Sequence, residues 1–192
     1  MADQQGSSSG LSSHHQAFLN DLKLMHELYS IEVLEESLKM IKFHVAGPPA
    51  TPYASGVFEV DMTFPENYPE SLPEVMFVVP IWNSCVDPNN GRVHFEGVTQ
   101  MTVAEALAYV EEMLRANEAD EDSLFFKTSR FWTAKFAGGV ADPEDIVFGQ
   151  KVEALVEMGF SEMESVIALS ACDWNLGDAA EQLVDSAPVD EL

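Results

Sequence analysis

Basic residues are scarce: nine lysines and arginines stand against 33 aspartates and glutamates, a formal charge of −24 at neutral pH. A surface of that sign repels phosphate backbones and anionic lipid headgroups, which excludes nucleic acid and membrane as partners and favours a basic protein surface. Cysteine is nearly missing too. Cys85 and Cys172 lie far apart with no C-x-x-C spacing, which excludes a disulfide framework and a structural zinc site, and both are expected as reduced thiols. No apolar run approaches the ~18 residues that span a bilayer, and MADQQGSSSG lacks the charged-then-apolar order of a secretory signal. A cytoplasmic chain is expected, with the nucleus also open to it. The closing VDEL has the look of an ER-retention address, but with no signal to act on it is read as coincidence. What is present is 46% hydrophobic content over 192 residues, enough for one domain or two small ones.

Residues 1–13, rich in Gly, Ser and Gln, are expected to be disordered. Phe18, Leu22, Met25 and Tyr29 then recur at helical spacing and predict an amphipathic helix over residues 14–29. After it the period drops to two. Ile41, Phe43 and Val45, then Phe58, Val60, Met62 and Phe64, alternate with polar residues across the turn-rich GPPATPYASG, and EVMFVV (74–79) follows as a more uniformly apolar strand. This predicts an antiparallel meander of three strands, or four if IEVLEE contributes, with Phe58 and Phe64 in the core. Thr102 and Glu105 have capping-box spacing and open a helix whose apolar face is Val103, Leu107, Val110 and Leu114. A further helix is predicted around residues 122–136, ending at Gly138 and Gly139, and residues 138–147 read as a linker.

The last part reads as a separate unit over 148–186, with a tail at 187–192. Phe148, Val152 and Leu155 form an apolar stripe, Ser161 and Glu164 a second capping box, and Asn175 caps a helix whose inner face is Leu176, Ala179, Ala180 and Leu183. Three short helices make a minimal bundle.

These residues carry two resemblances. KVEALVEMGFSEMESVIALSACDWNLGDAAEQLVDS (151–186) resembles a ubiquitin-associated (UBA) domain, through Met158-Gly159-Phe160, Ala168-Leu169 and Asn175 before a helix ending in Leu183. The resemblance implies a ubiquitin-docking surface at Met158, Gly159, Phe160, Leu183 and Val184. Residues 14–137 resemble a ubiquitin-conjugating enzyme, through Gly47-Pro48, Thr51-Pro52-Tyr53, Gly56-Val57-Phe58 and Tyr68-Pro69. The fold class implied is α+β: an antiparallel meander with flanking helices, followed by a three-helix UBA-like bundle.

The segment IWNSCVDPNNGRVHF (81–95) departs from the family's pattern. In the family a His-Pro-Asn motif precedes, past a Gly-Arg pair, the thioester-forming cysteine. Matching Gly91-Arg92 puts His94 at the cysteine position, and matching Ile81-Trp82 puts Asn83, Ser84 and Cys85 where His-Pro-Asn belongs. An acyl carrier needs sulfur, because an imidazole adduct hydrolyses before it can be handed on. No basic cluster lowers the Cys85 thiol from its free value of about 8.5, so Cys85 reads as a half-buried structural cysteine and His94 as a surface residue. The first helix also offers Lys23 and little else for an activating enzyme to recognise.

The expectation is therefore a ubiquitin-conjugating enzyme variant, with the VDP turn resembling the fused-toes group: not an enzyme, with no cofactor and no metal. It would serve as an adaptor of the ubiquitin system, with ubiquitin on its UBA-like unit and an unidentified protein partner on the variant domain. Two alternatives stand beside it: a cofactor subunit that sets chain linkage for an active conjugating enzyme, and a diverged active enzyme using Cys85.

Overall fold

Alternating side chains build the sheet on which everything else rests. The structure, a computed structural model, describes Asn20, Lys23 and residues 32–35, 40–68, 70–116 and 120–186. The expected disorder over 1–13 and the tail at 187–192 lie outside the described residues. So does the expected helix over 14–29, apart from Asn20 and Lys23, which are helical and exposed.

Four strands, β1 (Glu32–Glu35), β2 (Met40–Ala46), β3 (Val57–Thr63) and β4 (Glu74–Phe77), pair antiparallel in chain order, so IEVLEE does supply a fourth strand. Register places Ile41 opposite Met62, Phe43 opposite Val60 and Val45 opposite Phe58, all buried. The alternate residues turn outward, where Lys42 reaches Glu59 at 2.5 Å and Asp61 at 3.3 Å. A one-residue slip would exchange these faces, so the burial pattern fixes the register.

Helix α1 (Val103–Arg115) starts where the capping box was read: the Glu105 N–H donates to Thr102 Oγ1, and Thr102 N–H donates back to Glu105 Oε2 at 2.8 Å. Its buried Val103, Leu107, Val110 and Leu114 join the inner face of the sheet in one core. Phe58 and Phe64 lie in that core as expected.

Helix α2 (Leu124–Phe136) is buried on more than one side. It is followed by a 3₁₀ turn (Pro143–Asp145) and the bundle of α3 (Ile146–Glu157), α4 (Glu162–Ala171) and α5 (Leu176–Ser186). Phe131 and Trp132 of α2 share a single apolar cluster with Val152, Leu155, Val166, Leu169 and Trp174 of the bundle. Two indoles cross this junction in opposite directions: Trp132 Nε1 donates to Ser170 Oγ at 2.9 Å, and Trp174 Nε1 donates to Thr128 Oγ1 at 2.8 Å. Polar contacts frame it. Arg130 pairs with Asp142 at 3.1 Å and Asp145 at 2.8 Å, and Lys135 with Glu162 at 2.6 Å. Residues 138–147, read as a linker, thus carry a clamp onto α2.

Candidate active-site loop and ubiquitin-docking surface

Beyond β4 the chain turns back on the strand it has just left. Phe77 N–H donates to the Gly91 carbonyl at 2.8 Å and Val93 N–H to the Val75 carbonyl at 2.9 Å, so the returning segment pairs with the edge of β4 and covers it. Gly91 makes this approach possible: its φ is +75°, and a Cβ there would sit 2.1 Å from the Phe77 carbonyl oxygen.

Inside the loop Val86 faces Val93, flanked by hydrogen bonds from Asp87 N–H to the Arg92 carbonyl (2.9 Å) and from His94 N–H to the Cys85 carbonyl (2.8 Å). That register sets Cys85 and His94 opposite one another, on the face away from the buried valines. Cys85 is half-buried against the core and His94 is exposed. At the hairpin tip the Asp87 carboxylate accepts from the backbone and side-chain amides of Asn89 and from Asn90 Nδ2. Those bonds, Asn89's backbone N–H first, hold Asp87 below the usual carboxylate range.

The three residues read as a displaced motif differ in their surroundings. Asn83 is only 6% exposed: its Nδ2 donates to Tyr53 Oη at 2.9 Å and its Oδ1 accepts from Cys85 N–H at 2.8 Å, so it anchors the loop. Ser84 is exposed, with Oγ 3.9 Å from Cys85 Sγ. The thiol also has Tyr109 of α1 beside it. Burial pushes the Tyr109 hydroxyl up from its ordinary value, and the adjacent Cys85 thiol adds to the shift. Tyr109 Oη donates to the His94 carbonyl at 3.2 Å, which ties α1 to both sides of the hairpin. Sequence reasoning missed Tyr109, because a tyrosine on a covering helix reads as packing.

On the bundle, Met158 and Val184 are 61% and 62% exposed. Gly159 lies between Met158 and a half-buried Phe160 at φ +104°, a conformation that ends α3 and turns Met158 outward. Phe160 and Leu183 line a cavity facing Asn89 of the loop. Cys172, the second thiol, donates to Gln182 Oε1 at 3.1 Å; burial, then Asp178 and Asp173, push its thiol up.

The ubiquitin-conjugating enzyme family model matches residues 16–128, and the UBA/TS-N domain model matches residues 150–183. The chain belongs to the ubiquitin-conjugating enzyme family. It is 30% identical over 173 residues to "Ubiquitin-conjugating enzyme E2 21" of Caenorhabditis elegans, spanning 81% of this chain and 80% of that one. Likeness to human "Ubiquitin-conjugating enzyme E2 K" is 27% over 175 residues, 81% of this chain and 86% of the relative. The E2 domain of a Toxoplasma gondii ubiquitin conjugating enzyme shares the fold, with TM-score 0.54 at 24% identity over 64% of this chain and 97% of that one.

These relatives overturn the expectation that the chain is not an enzyme. They match across both units and are named as conjugating enzymes. The expectation rests on the loop bearing His94 and Cys85 and on the few basic residues of the first helix, and the pattern of the whole chain outweighs both.

Proposed function

We propose that this protein is a diverged ubiquitin-conjugating enzyme that carries the ubiquitin acyl group on Cys85 and holds ubiquitin non-covalently through its UBA domain. The observation that carries the reading is the placement of Cys85. Cys85 is half-buried, with Ser84 Oγ 3.9 Å from its sulfur and Tyr109 of α1 beside it, opposite the exposed His94. The thiolate is the attacking species in such a transfer. In the transfer, Cys85 Sγ would form a bond to the C-terminal carbonyl carbon of ubiquitin as the carbon–sulfur bond to the activating enzyme breaks. The departing sulfur would take the proton that Cys85 gives up. For the bundle, the exposed Met158 and Val184, with Gly159, Phe160 and Leu183 between them, offer apolar area that loses water on docking.

The test is a charging assay on the full chain with activating enzyme, ATP and ubiquitin, resolved without reducing agent. A thiol-sensitive adduct is expected, lost in Cys85→Ala and kept in Cys172→Ala. Tyr109→Phe should slow its formation without unfolding the protein. A folded protein that yields no adduct, or an adduct that survives Cys85→Ala, refutes the reading.

A further inference from the structure

The cavity between the hairpin tip and the bundle belongs to neither unit alone. It encloses about 320 Å³ and is lined by Asn89 on the loop side and by Phe160, Glu164, Ile167, Gln182 and Leu183 on the bundle side. Phe160, Ile167 and Leu183 give it an apolar floor. Its rim has acceptors and no cation. Glu164 uses Oε2 to close the Ser161 cap; the Ser161 side chain and backbone hold the carboxylate below its usual range, so it is charged at neutral pH. Across from it, Asn89 Nδ2 donates to Asp87 Oδ1 at 3.0 Å, which leaves the Asn89 side-chain carbonyl to accept from a ligand. Lys151, the only base after Lys135, donates to the Trp174 carbonyl at 2.6 Å and does not line the cavity.

An apolar floor under an acidic and amide rim suits an extended segment with aliphatic side chains to bury and arginines to donate. Two of the proposed ubiquitin-docking residues, Phe160 and Leu183, line the cavity, while Met158 and Val184 lie exposed outside it. We infer that this cavity seats the C-terminal tail of the ubiquitin docked on the bundle, with Asn89 as a specificity-determining wall contributed by the conjugating domain. The inference rests on the proposed binding of ubiquitin by the UBA domain and adds a contact that the bundle alone does not have. It also gives the seated tail a direction. Asn89 is four residues from Cys85, so their Cα atoms lie within about 14 Å of each other, and the tail approaches the hairpin that bears the thiol.

The experiment is an NMR titration of the isotope-labelled full chain with three probes: ubiquitin, ubiquitin lacking its tail, and a Leu-Arg-Leu-Arg-Gly-Gly peptide. Whole ubiquitin and the peptide should shift Asn89, Gln182 and Leu183, whereas tail-less ubiquitin should shift Met158 and Val184 and leave Asn89 in place. Asn89→Lys, at an exposed site that does not threaten folding, should weaken the peptide roughly tenfold, the scale of one charge-assisted hydrogen bond. If Met158 and Val184 respond to whole ubiquitin while Asn89 is silent, the cavity inference fails and the docking proposal stands. Tail-less ubiquitin moving Asn89 as far as the whole protein does also overturns it. Silence at every one of these residues sinks both.

Discussion

Replacing Trp174 with phenylalanine removes one hydrogen bond and part of a ring at the junction between the conjugating domain and the bundle. Trp174 and Thr128 are each 2% exposed, and the indole N–H that joins them crosses from the bundle to α2. Phenylalanine keeps the ring stacked on Phe148, at 4.0 Å between centroids, and edge-on to Phe131 at 5.1 Å. What is lost is the hydrogen bond, which leaves Thr128 Oγ1 without its donor at a cost of about 1–3 kcal/mol, and part of a ring, for about 1 kcal/mol more. Trp174→Phe should therefore lower stability by about 2–4 kcal/mol. Thr128→Val orphans the indole N–H from the other side, and the double variant should cost less than the sum of the singles by about 1 kcal/mol. Urea unfolding of the full chain followed by far-ultraviolet circular dichroism measures all three. Because Phe131, Trp132 and Trp174 lie in one cluster, the bundle and α2 should unfold together. A change below about 0.5 kcal/mol, or a separate bundle transition that alone responds to Trp174→Phe, would refute the shared core.

Phe64→Ala removes a 4% exposed ring packed edge-on against Tyr68 at 5.0 Å, and should cost about 3–5 kcal/mol by the same measurement. Glu105 and Glu164 are held below the ordinary glutamate value of 4.5, Glu105 mainly by the Thr102 backbone N–H and Glu164 mainly by the Ser161 hydroxyl. Their contribution is complete above that value and is lost as pH falls through the lower folded values. Wild type should therefore exceed the Glu105→Gln/Glu164→Gln variant in Tm at pH 7, with the gap narrowing as the pH falls below 4.5 through the lower folded values. Ubiquitin should bind the full chain with a Kd near 0.1 mM, about −5.5 kcal/mol, because so small a bundle offers a low-end interface. Phe160→Ala should weaken that binding at any salt, whereas the exposed Glu157→Lys should matter mainly at low ionic strength; titration calorimetry at two salt concentrations separates them.

The sheet was legible because its information is local. Period-two alternation through Phe58, Val60 and Met62 can be satisfied in one way once one face is buried, and the Thr102 and Ser161 capping boxes mark helix starts within four residues. The junction was not legible, since its deciding bonds join residues 38 and 46 positions apart and nothing near Trp132 or Trp174 announces the partner. Helix α2 did hold a signal that period counting passes over. Its Thr128, Ser129 and Thr133 read as a polar face yet are buried, and each has a partner: Thr128 accepts from Trp174, Ser129 Oγ donates to the Trp82 carbonyl, and Thr133 Oγ1 donates to the Ser129 carbonyl. A helix with aromatic residues on one side and small hydroxyl residues on the other can be buried all round when those hydroxyls find acceptors. The candidate site was half legible for a related reason. Cys85 and His94 were both noticed, but their facing positions follow from a hairpin register set by Val86, Val93 and the close approach at Gly91, and Tyr109 arrives from another element.

How the bundle is attached decides what a bound ubiquitin can reach. A flexible tether of ten residues would let the bundle sample many places, and the effective concentration of its ligand at the loop would be averaged over all of them. Here the tether is replaced by a docked face. Arg130 holds Asp142 and Asp145 at the entry, Lys135 holds Glu162 at the start of α4, and the two indoles lock the centre. A ligand on such a bundle has one position relative to Cys85, so its effective concentration there is either high or negligible. The cavity shared by Asn89, Phe160 and Leu183 favours the high value, because it makes the loop part of the surface that a ubiquitin on the bundle would touch. On the proposed function the buried aromatic junction would therefore bear on transfer as well as on stability: a substitution that frees the bundle while leaving Met158 and Val184 unchanged would remove the fixed position and keep the proposed docking patch.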